Sequence, residues 1–288
     1  MVTAVTNNQN DSYFPQYVLE PLTQDELKNF FDEISIKVLN HYIDTAVFSQ
    51  PEILPGQEAR PIQIPKEHFE QWIVQALNVK SVGSGNYPID VVNREKSWGA
   101  DIKGLRCKED DNGRLKNRET NETSLIQKFI ESGNQLDADF ASRNYIKVKN
   151  EWIELWKNKL LEVKESEKLN EIYYFIVLIG IFKFYLLGLR VNINLISKEK
   201  IGIRKTSDKS IFLSGVIDDK YGSVKIYKSK KRLELRLKPK NLLNDQFLVA
   251  FDIPIYRKEI NNMYELIQDE KKYESYLKEK VRKIFRIK

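Results

Sequence analysis

Apolar residues recur at helical spacing through TQDELKNFFDEISIKVLNHYIDTAVF (23–48), behind a capping threonine and an acidic first turn, which predicts one long or broken helix. Pro51, Pro55, Pro61 and Pro65 interrupt the next stretch, and Pro65 suits the first turn of a second helix, PKEHFEQWIVQAL. Its apolar stripe is Phe69, Trp72, Ile73, Ala76 and Leu77. At about 100° per residue Glu70 falls at the edge of that stripe, able to face inward, and Glu67 lies opposite it. The period then changes. Strands are expected around 87–93 and 99–107, separated by the polar turn NREKS, so the two read as a hairpin. Residues 108–122 are polar and long enough to be a loop.

Helical patterns resume at SLIQKFIESG (124–133) and over 145–168, where Val148, Trp152, Leu155 and Trp156 share one side. The apolar run 172–189 approaches the length of a membrane span. Lys183 interrupts it, however, its tyrosines and β-branched residues favour strand, and Gly180 offers a turn or bulge. A central strand buried on both faces is therefore expected, with no membrane association. Residues 190–256 read as β-rich (VNINLI, SIFLSGVI, SVKIYK, LELRL, QFLVAFDI), and the chain closes on a charged helix, MYELIQDEKKYESYLKEKVRKIF. No internal repeat is visible. The pattern as a whole is α/β (α+β), a mixed central sheet flanked by helices, in three parts: an N-terminal helical region (1–64), a core (65–190) and a β-rich basic region with a closing helix (191–288).

Composition narrows the chemistry. The 288 residues suffice for one large domain or a core with an appended region. A single cysteine, Cys107, excludes an internal disulfide framework, and MVTAVTNNQNDSYFPQ has neither the basic start nor the apolar core of a secretory signal, so a cytoplasmic location is expected. With only His41 and His68, histidine-rich zinc sites and most Ser-His or Cys-His hydrolase arrangements are disfavoured. Carboxylates and lysines are left to carry any reaction.

Charge is regional. Residues 1–60 hold nine Asp and Glu against three Lys and Arg, whereas residues 191–240 hold fourteen Lys and Arg against five Asp and Glu. In KIYKSKKRLELRLKPK (225–240) the basic residues alternate with Ile226, Tyr227, Leu233, Leu235 and Leu237, the pattern of a half-buried strand with an electropositive outer face. A lysine-rich solvated hairpin explains this pattern; so does a surface for a phosphate backbone. On the second explanation Lys228, Lys230, Lys231, Arg232 and Arg236 are the candidate DNA contacts, with Arg114, Lys116 and Arg118 of the 108–122 loop as further ones.

The hairpin holds the sharper signal. In NYPIDVVNREKSWGADIKG (86–104) one aspartate sits in an apolar run and a second stands two places before a lysine in another. On an alternating strand Asp101, Lys103, Leu105 and Cys107 share one face, and Ala100, Ile102, Gly104 and Arg106 the other. If Asp90 projects to the same side as Asp101, two carboxylates and an ammonium converge in an apolar setting, which is costly without compensation. A divalent cation compensates: Asp90, Asp101 and the Ile102 carbonyl are hard oxygen ligands of the kind Mg²⁺ prefers. Lys103 beside it could orient or activate an attacking water, or stabilise charge on a phosphate. Glu70 could reach in from the preceding helix, with Glu67 and Glu58 the other upstream carboxylates. The tripeptide alone means little, since ELK at 26, EVK at 162, DDK at 218 and DEK at 269 occur in the same chain. What sets the copy at 101 apart is its apolar setting, the PID ahead of it and the helix before that.

PID (88–90), DIK (101–103) and Glu70 together resemble the signature of the PD-(D/E)xK nuclease superfamily, and the size and the basic β-rich region most resemble a type II restriction endonuclease within it. Ile89 stands between the proline and Asp90, a departure from the family spelling. The resemblance implies an αβββαβ restriction-endonuclease-like core, Mg²⁺ as cofactor with Mn²⁺ as a possible substitute, and a sequence-specific cut in double-stranded DNA leaving 5′-phosphate and 3′-hydroxyl ends. It implies catalytic roles for Asp90, Asp101, Lys103 and Glu70, with metal held by Asp90, Asp101 and the Ile102 carbonyl. A homodimer is the expected assembly, because a duplex needs two strand cuts. The alternatives are a repair or recombination nuclease of the same superfamily, and a nucleic-acid-binding protein whose buried charges are structural.

Overall fold

The computed structural model describes residues 15–57, 62–82, 87–119, 123–127, 136–254, 260 and 262–287, the side chains of 66, 67, 119 and 127 excepted. Among them are eight α-helices and thirteen strands, the strands arranged in two sheets. The chain is mixed α/β, with a mixed sheet flanked by helices.

The first helical pattern is broken. Thr23 caps α1 (Gln24–Lys28) through a reciprocal box with Glu26, and Asp32 caps α2 (Glu33–Phe48) by accepting from the Ser35 N–H. After the prolines, α3 (Lys66–Leu77) begins directly behind Pro65 and ends on Asn78 in the left-handed conformation, a residue type that tolerates it. Strand β1 (Leu19–Pro21) precedes these helices; β2 (Lys80–Ser81), β3 (Val91–Asn93) and β4 (Trp98–Glu109) come after them as an antiparallel run.

Beyond β4 the structure departs from the sequence expectations. The 108–122 stretch is not an open loop: β4 continues to Glu109, turns at Asp110–Gly113 and pairs with β5 (Leu115–Glu119). SLIQ, expected to start a helix, lies in strand β6 (Thr123–Gln127), where Leu125 and Ile126 are buried; residues 128–133 of that expected helix lie outside the described residues. A short helix, α4 (Leu136–Ala141), precedes α5 (Tyr145–Ser166). Periodicity misassigned 124–127 because the strand is bulged at its pairing with its neighbour in the smaller sheet, Arg232–Leu237, so that two consecutive apolar residues turn inward.

The apolar run 172–189 contains the expected buried central strand, and a second strand follows it as a hairpin. β7 (Glu171–Ile179) turns at Gly180 into β8 (Lys183–Val191). A Cβ on Gly180 would come within 2.9 Å of the Lys183 carbonyl oxygen, backbone that cannot swing aside, so any other residue would force this turn to shift. Among the described residues no helix is long and apolar enough to cross a membrane. VNINLI ends β8 and enters a 3₁₀ turn at Ile193–Leu195 instead of forming a strand. Then come β9 (Gly202–Ser207), β10 (Ser210–Ser214), β11 (Gly222–Tyr227), β12 (Arg232–Leu237), α6 (Pro239–Asn244), β13 (Val249–Asp252), α7 (Met263–Gln268) and α8 (Glu270–Phe285).

The larger sheet runs β1-β8-β7-β4-β3-β2, with β13 added to β8 and β5 to β4; the smaller runs β6-β12-β11-β10-β9. Strands from all three parts of the sequence therefore share the larger sheet. Among the described strands only β4 and β7 are parallel, in register from Trp98 with Glu171 to Arg106 with Ile179. Parallel neighbours need a long return, and the segment containing α5 makes it. One face of the sheet packs Trp98, Ala100 and Ile102 against Phe69, Trp72 and Ile73 of α3 and residues of α2. The other packs Leu105 and Cys107 with Trp152 and Trp156 of α5, in a core shared with the apolar face of the smaller sheet. Together these two cores make β4 the element on which both layers rest.

α3 packs tightly on β4 at Gly104: a Cβ there would meet the buried Phe69 ring at 2.8 Å. Gly104→Ala should overpack this contact and lower stability by about 1–3 kcal/mol in urea unfolding. An unchanged unfolding midpoint would show that α3 has room to shift.

Candidate active site

The end of β3 creates the site. Asp90 stands just before that strand, where its N–H donates to the Ala100 carbonyl at 2.9 Å and its carbonyl accepts from the Val82 N–H at 3.0 Å. Its side chain then turns toward β4, and Oδ2 accepts from the Ile102 N–H at 2.6 Å. A strand residue's N–H and C=O leave by the same edge. The Ile102 carbonyl therefore emerges on the β4 edge facing Asp90, beyond the last rung of the β3 ladder.

Asp101 and Lys103 occupy the α5 side of β4, alternating with Ala100 and Ile102, which face α3. Lys103 Nζ donates to Asp101 Oδ1 at 2.6 Å, with the Asp101 residue 7% exposed. Burial pushes the Asp101 carboxyl up to about 8, and the neighbouring Asp90 carboxylate pushes the same way; Lys103 opposes them without prevailing. Two residues form the floor. Tyr174 pairs with Asp101 across the parallel β4–β7 ladder, and Trp156 Nε1 of α5 donates to its hydroxyl at 3.3 Å. Burial, and then the charge of Asp101, push the Tyr174 hydroxyl upward. Sequence reading passed over both residues as core, and the register with Asp101 is the feature that distinguishes them.

Asp90, Asp101, Lys103 and the Ile102 backbone thus meet at one strand edge. Their chemistry fits a hard divalent cation: two neighbouring carboxylates, the buried one of which ionises less readily beside the other, with a backbone carbonyl on the same edge. A cation there would offset the burial, and with it the repulsion from Asp90, that holds Asp101 toward its protonated form.

Glu70 is placed differently. It is half-buried on α3, and α3 packs its apolar stripe on the sheet face opposite Asp101 and Lys103. Among the described residues no group of three or more His, Cys, Asp or Glu side chains comes together to hold a metal, so Glu70 does not complete a three-carboxylate cluster with the aspartates. The helical wheel put Glu70 at the edge of the stripe but could not tell which sheet face the helix covers. Glu58 and the side chain of Glu67 lie outside the described residues.

The basic candidates fall in two places. Arg114, Lys116 and Arg118 are exposed on the β4–β5 turn and on β5, continuing from the strand that carries the aspartate pair. Lys228, Lys230 and Lys231 form the β11–β12 turn; Lys230 and Lys231 are exposed, and Lys228 lies 3.5 Å from Asp137. Arg232 and Arg236 project from β12 on either side of Glu234, a fully buried acid that sequence reading left out of account. Its signal was available, a lone acid at strand spacing within a basic run.

Comparison with protein-family models, with curated proteins and with solved structures returned no match.

The raised Asp101 carboxyl has a signed consequence. Its folded value, about 8, exceeds the value of about 4 usual for a solvated aspartate, so the folded state binds the extra proton. Its contribution to stability is present at pH below about 4 and is lost as pH climbs toward 8. In a chelated sample, thermal midpoints of the wild type should fall relative to Asp101→Asn between pH 5 and 8, with the variant ahead by about 2–4 °C for each kcal/mol relieved. Parallel profiles for the two proteins would show that Asp101 ionises without penalty.

Proposed function

We propose that the chain is a Mg²⁺-dependent endonuclease acting on double-stranded DNA, of the PD-(D/E)xK kind and most like a type II restriction enzyme. The observation that carries this reading is the meeting of Asp90, the Ile102 backbone, Asp101 and Lys103 at one edge of β4. Element order supports it as well. From α3 the chain runs α3, β2, β3, β4, α5, β7, and these strands lie in the order β7-β4-β3-β2 with β4 and β7 parallel. This order supports reading an αβββαβ core here, with β5, β6 and α4 as an insertion between β4 and α5.

In this reading Asp90, Asp101 and the Ile102 carbonyl hold the cation, which when bound supplies Lewis-acid polarisation of the phosphate and a more acidic water. Lys103 is kept by Asp101 at the place where a phosphate approaches. Its ammonium stabilises the negative charge that grows on the phosphate oxygens and helps orient the attacking water. Water oxygen bonds to phosphorus as the bond to the 3′ oxygen breaks; the proton lost by the water ends on that oxygen. The products are a 5′-phosphate and a 3′-hydroxyl. The catalytic set in this reading is Asp90, Asp101 and Lys103, without Glu70. The mostly apolar floor beneath Asp101, with Tyr174 and Trp156, keeps bulk water from screening the interaction.

Incubation with unmethylated phage DNA and Mg²⁺ tests the reading. Discrete fragments are the expected result, a smear would indicate a nuclease without sequence preference, and DNA left intact across metals and salts would overturn both. Lys103→Ala should lower the cleavage rate by about a hundredfold or more while duplex binding, measured in chelator, persists. Equal loss of binding and cleavage would instead point to a structural role for the lysine.

A further inference from the structure

The outer face of the smaller sheet is organised around one acid. Strand alternation turns Val224, Ile226, Leu233, Leu235 and Leu237 into the core and leaves Lys225, Tyr227, Arg232, Glu234 and Arg236 on the other side. Register places Lys225 directly opposite Glu234, and Phe212 of β10 opposite Lys225; Lys205 of β9 continues the same row. Glu234 is wholly buried beneath its neighbours. Its Oε1 accepts from Arg232 Nε at 2.7 Å, while Lys225 Nζ lies 3.3 Å and Arg236 Nη2 3.9 Å from Oε2. Lys225 also sits over the Tyr227 ring, 4.2 Å from its centroid.

A face meant only to adhere to phosphate gains nothing from this acid. It removes one unit of positive charge, and burying a carboxylate costs desolvation that an apolar residue would avoid. What the acid does provide is orientation. A guanidinium tied through Nε has its plane fixed, and a fixed plane is what two-point recognition of a base edge requires. Among the described residues, three cations and two aromatic rings share this face with the one carboxylate, a composition suited to a polyanion.

We propose that Glu234 is a positioning residue for sequence readout: by accepting from Arg232 Nε it fixes the plane of that guanidinium to read a guanine edge in the major groove of duplex DNA, with Lys225 and Arg236 as its more distant ion-pair neighbours. The proposal rests on the nuclease reading for the identity of its ligand, and it assigns discrimination, not catalysis, to this face.

The test is selection of duplexes from a randomised pool by the full chain in chelator, for the wild type and Glu234→Gln, with thermal melts as the check on folding. The wild type should enrich a motif containing at least one guanine. Glu234→Gln should lose about tenfold in discrimination at that position, the equivalent of one weakened bidentate pair, while binding of an unselected duplex is unchanged or rises. Should Glu234→Gln fail to fold, Arg232→Lys carries the test: lysine keeps the charge but has no plane for Glu234 to fix, and it should relax the same motif. Retention of the wild-type motif by the folded variant would overturn the proposal, as would a wild type that enriches none. Either result leaves the nuclease reading standing, since that reading fails only on the absence of metal-dependent cleavage by the same preparation.

Discussion

The constraint on which the rest depends is a carboxylate, Asp101, buried on the central strand beside a second carboxylate. Water cannot solvate it, and the single ammonium of Lys103 does not outweigh burial and the neighbouring charge. Such a group destabilises the fold that contains it unless something else is gained. Most of the surrounding architecture keeps it in place. The β3 ladder stops at Asp90 so that its side chain can reach the Ile102 N–H, and β7 supplies Tyr174 in register beneath Asp101. α5 then braces that tyrosine through Trp156. The cost is local and the supports are rigid elements, the arrangement expected of a site held ready for a cation and a phosphate.

The two sheets divide the remaining work. Because the smaller sheet packs its apolar side into the same core as α5 and the lower half of β4, its outer side is fixed relative to the aspartate pair by side-chain packing, not by a linker. Its charges are not a diffuse positive coat. They are arranged around Glu234 with distances of 2.7–3.9 Å, so both candidate regions show the same device, a buried acid that sets the place of a cation.

Much of this was legible in the residues themselves. Alternation along GADIKGLRC put Asp101 and Lys103 on one face and Ala100 and Ile102 on the other, as the two cores confirm. The capping residues and Pro65 marked helix starts that the structure retains within a few residues. Other features needed tertiary information. Both halves of 172–189 are buried on two faces, so neither shows a period, and only the glycine between them hints at the hairpin. The bulge in β12–β6 pairing brings Leu125 and Ile126 inward together, which imitates a helical stripe. Glu70 shows the limit for sites: periodicity places a side chain on its own helix, whereas the face of the sheet on which that helix lands is decided by packing of Phe69 against Gly104.

The central claim is that Asp90 and Asp101 together bind a divalent cation, and calorimetric melting against Mg²⁺ concentration near neutral pH addresses it without any assumption about substrate. A ligand that binds only the folded state raises the midpoint with its concentration. The wild-type midpoint should climb with Mg²⁺ concentration, while Asp90→Asn and Asp101→Asn each flatten the dependence. A wild-type midpoint indifferent to Mg²⁺ and Mn²⁺, or one that rises equally in both variants, would contradict it.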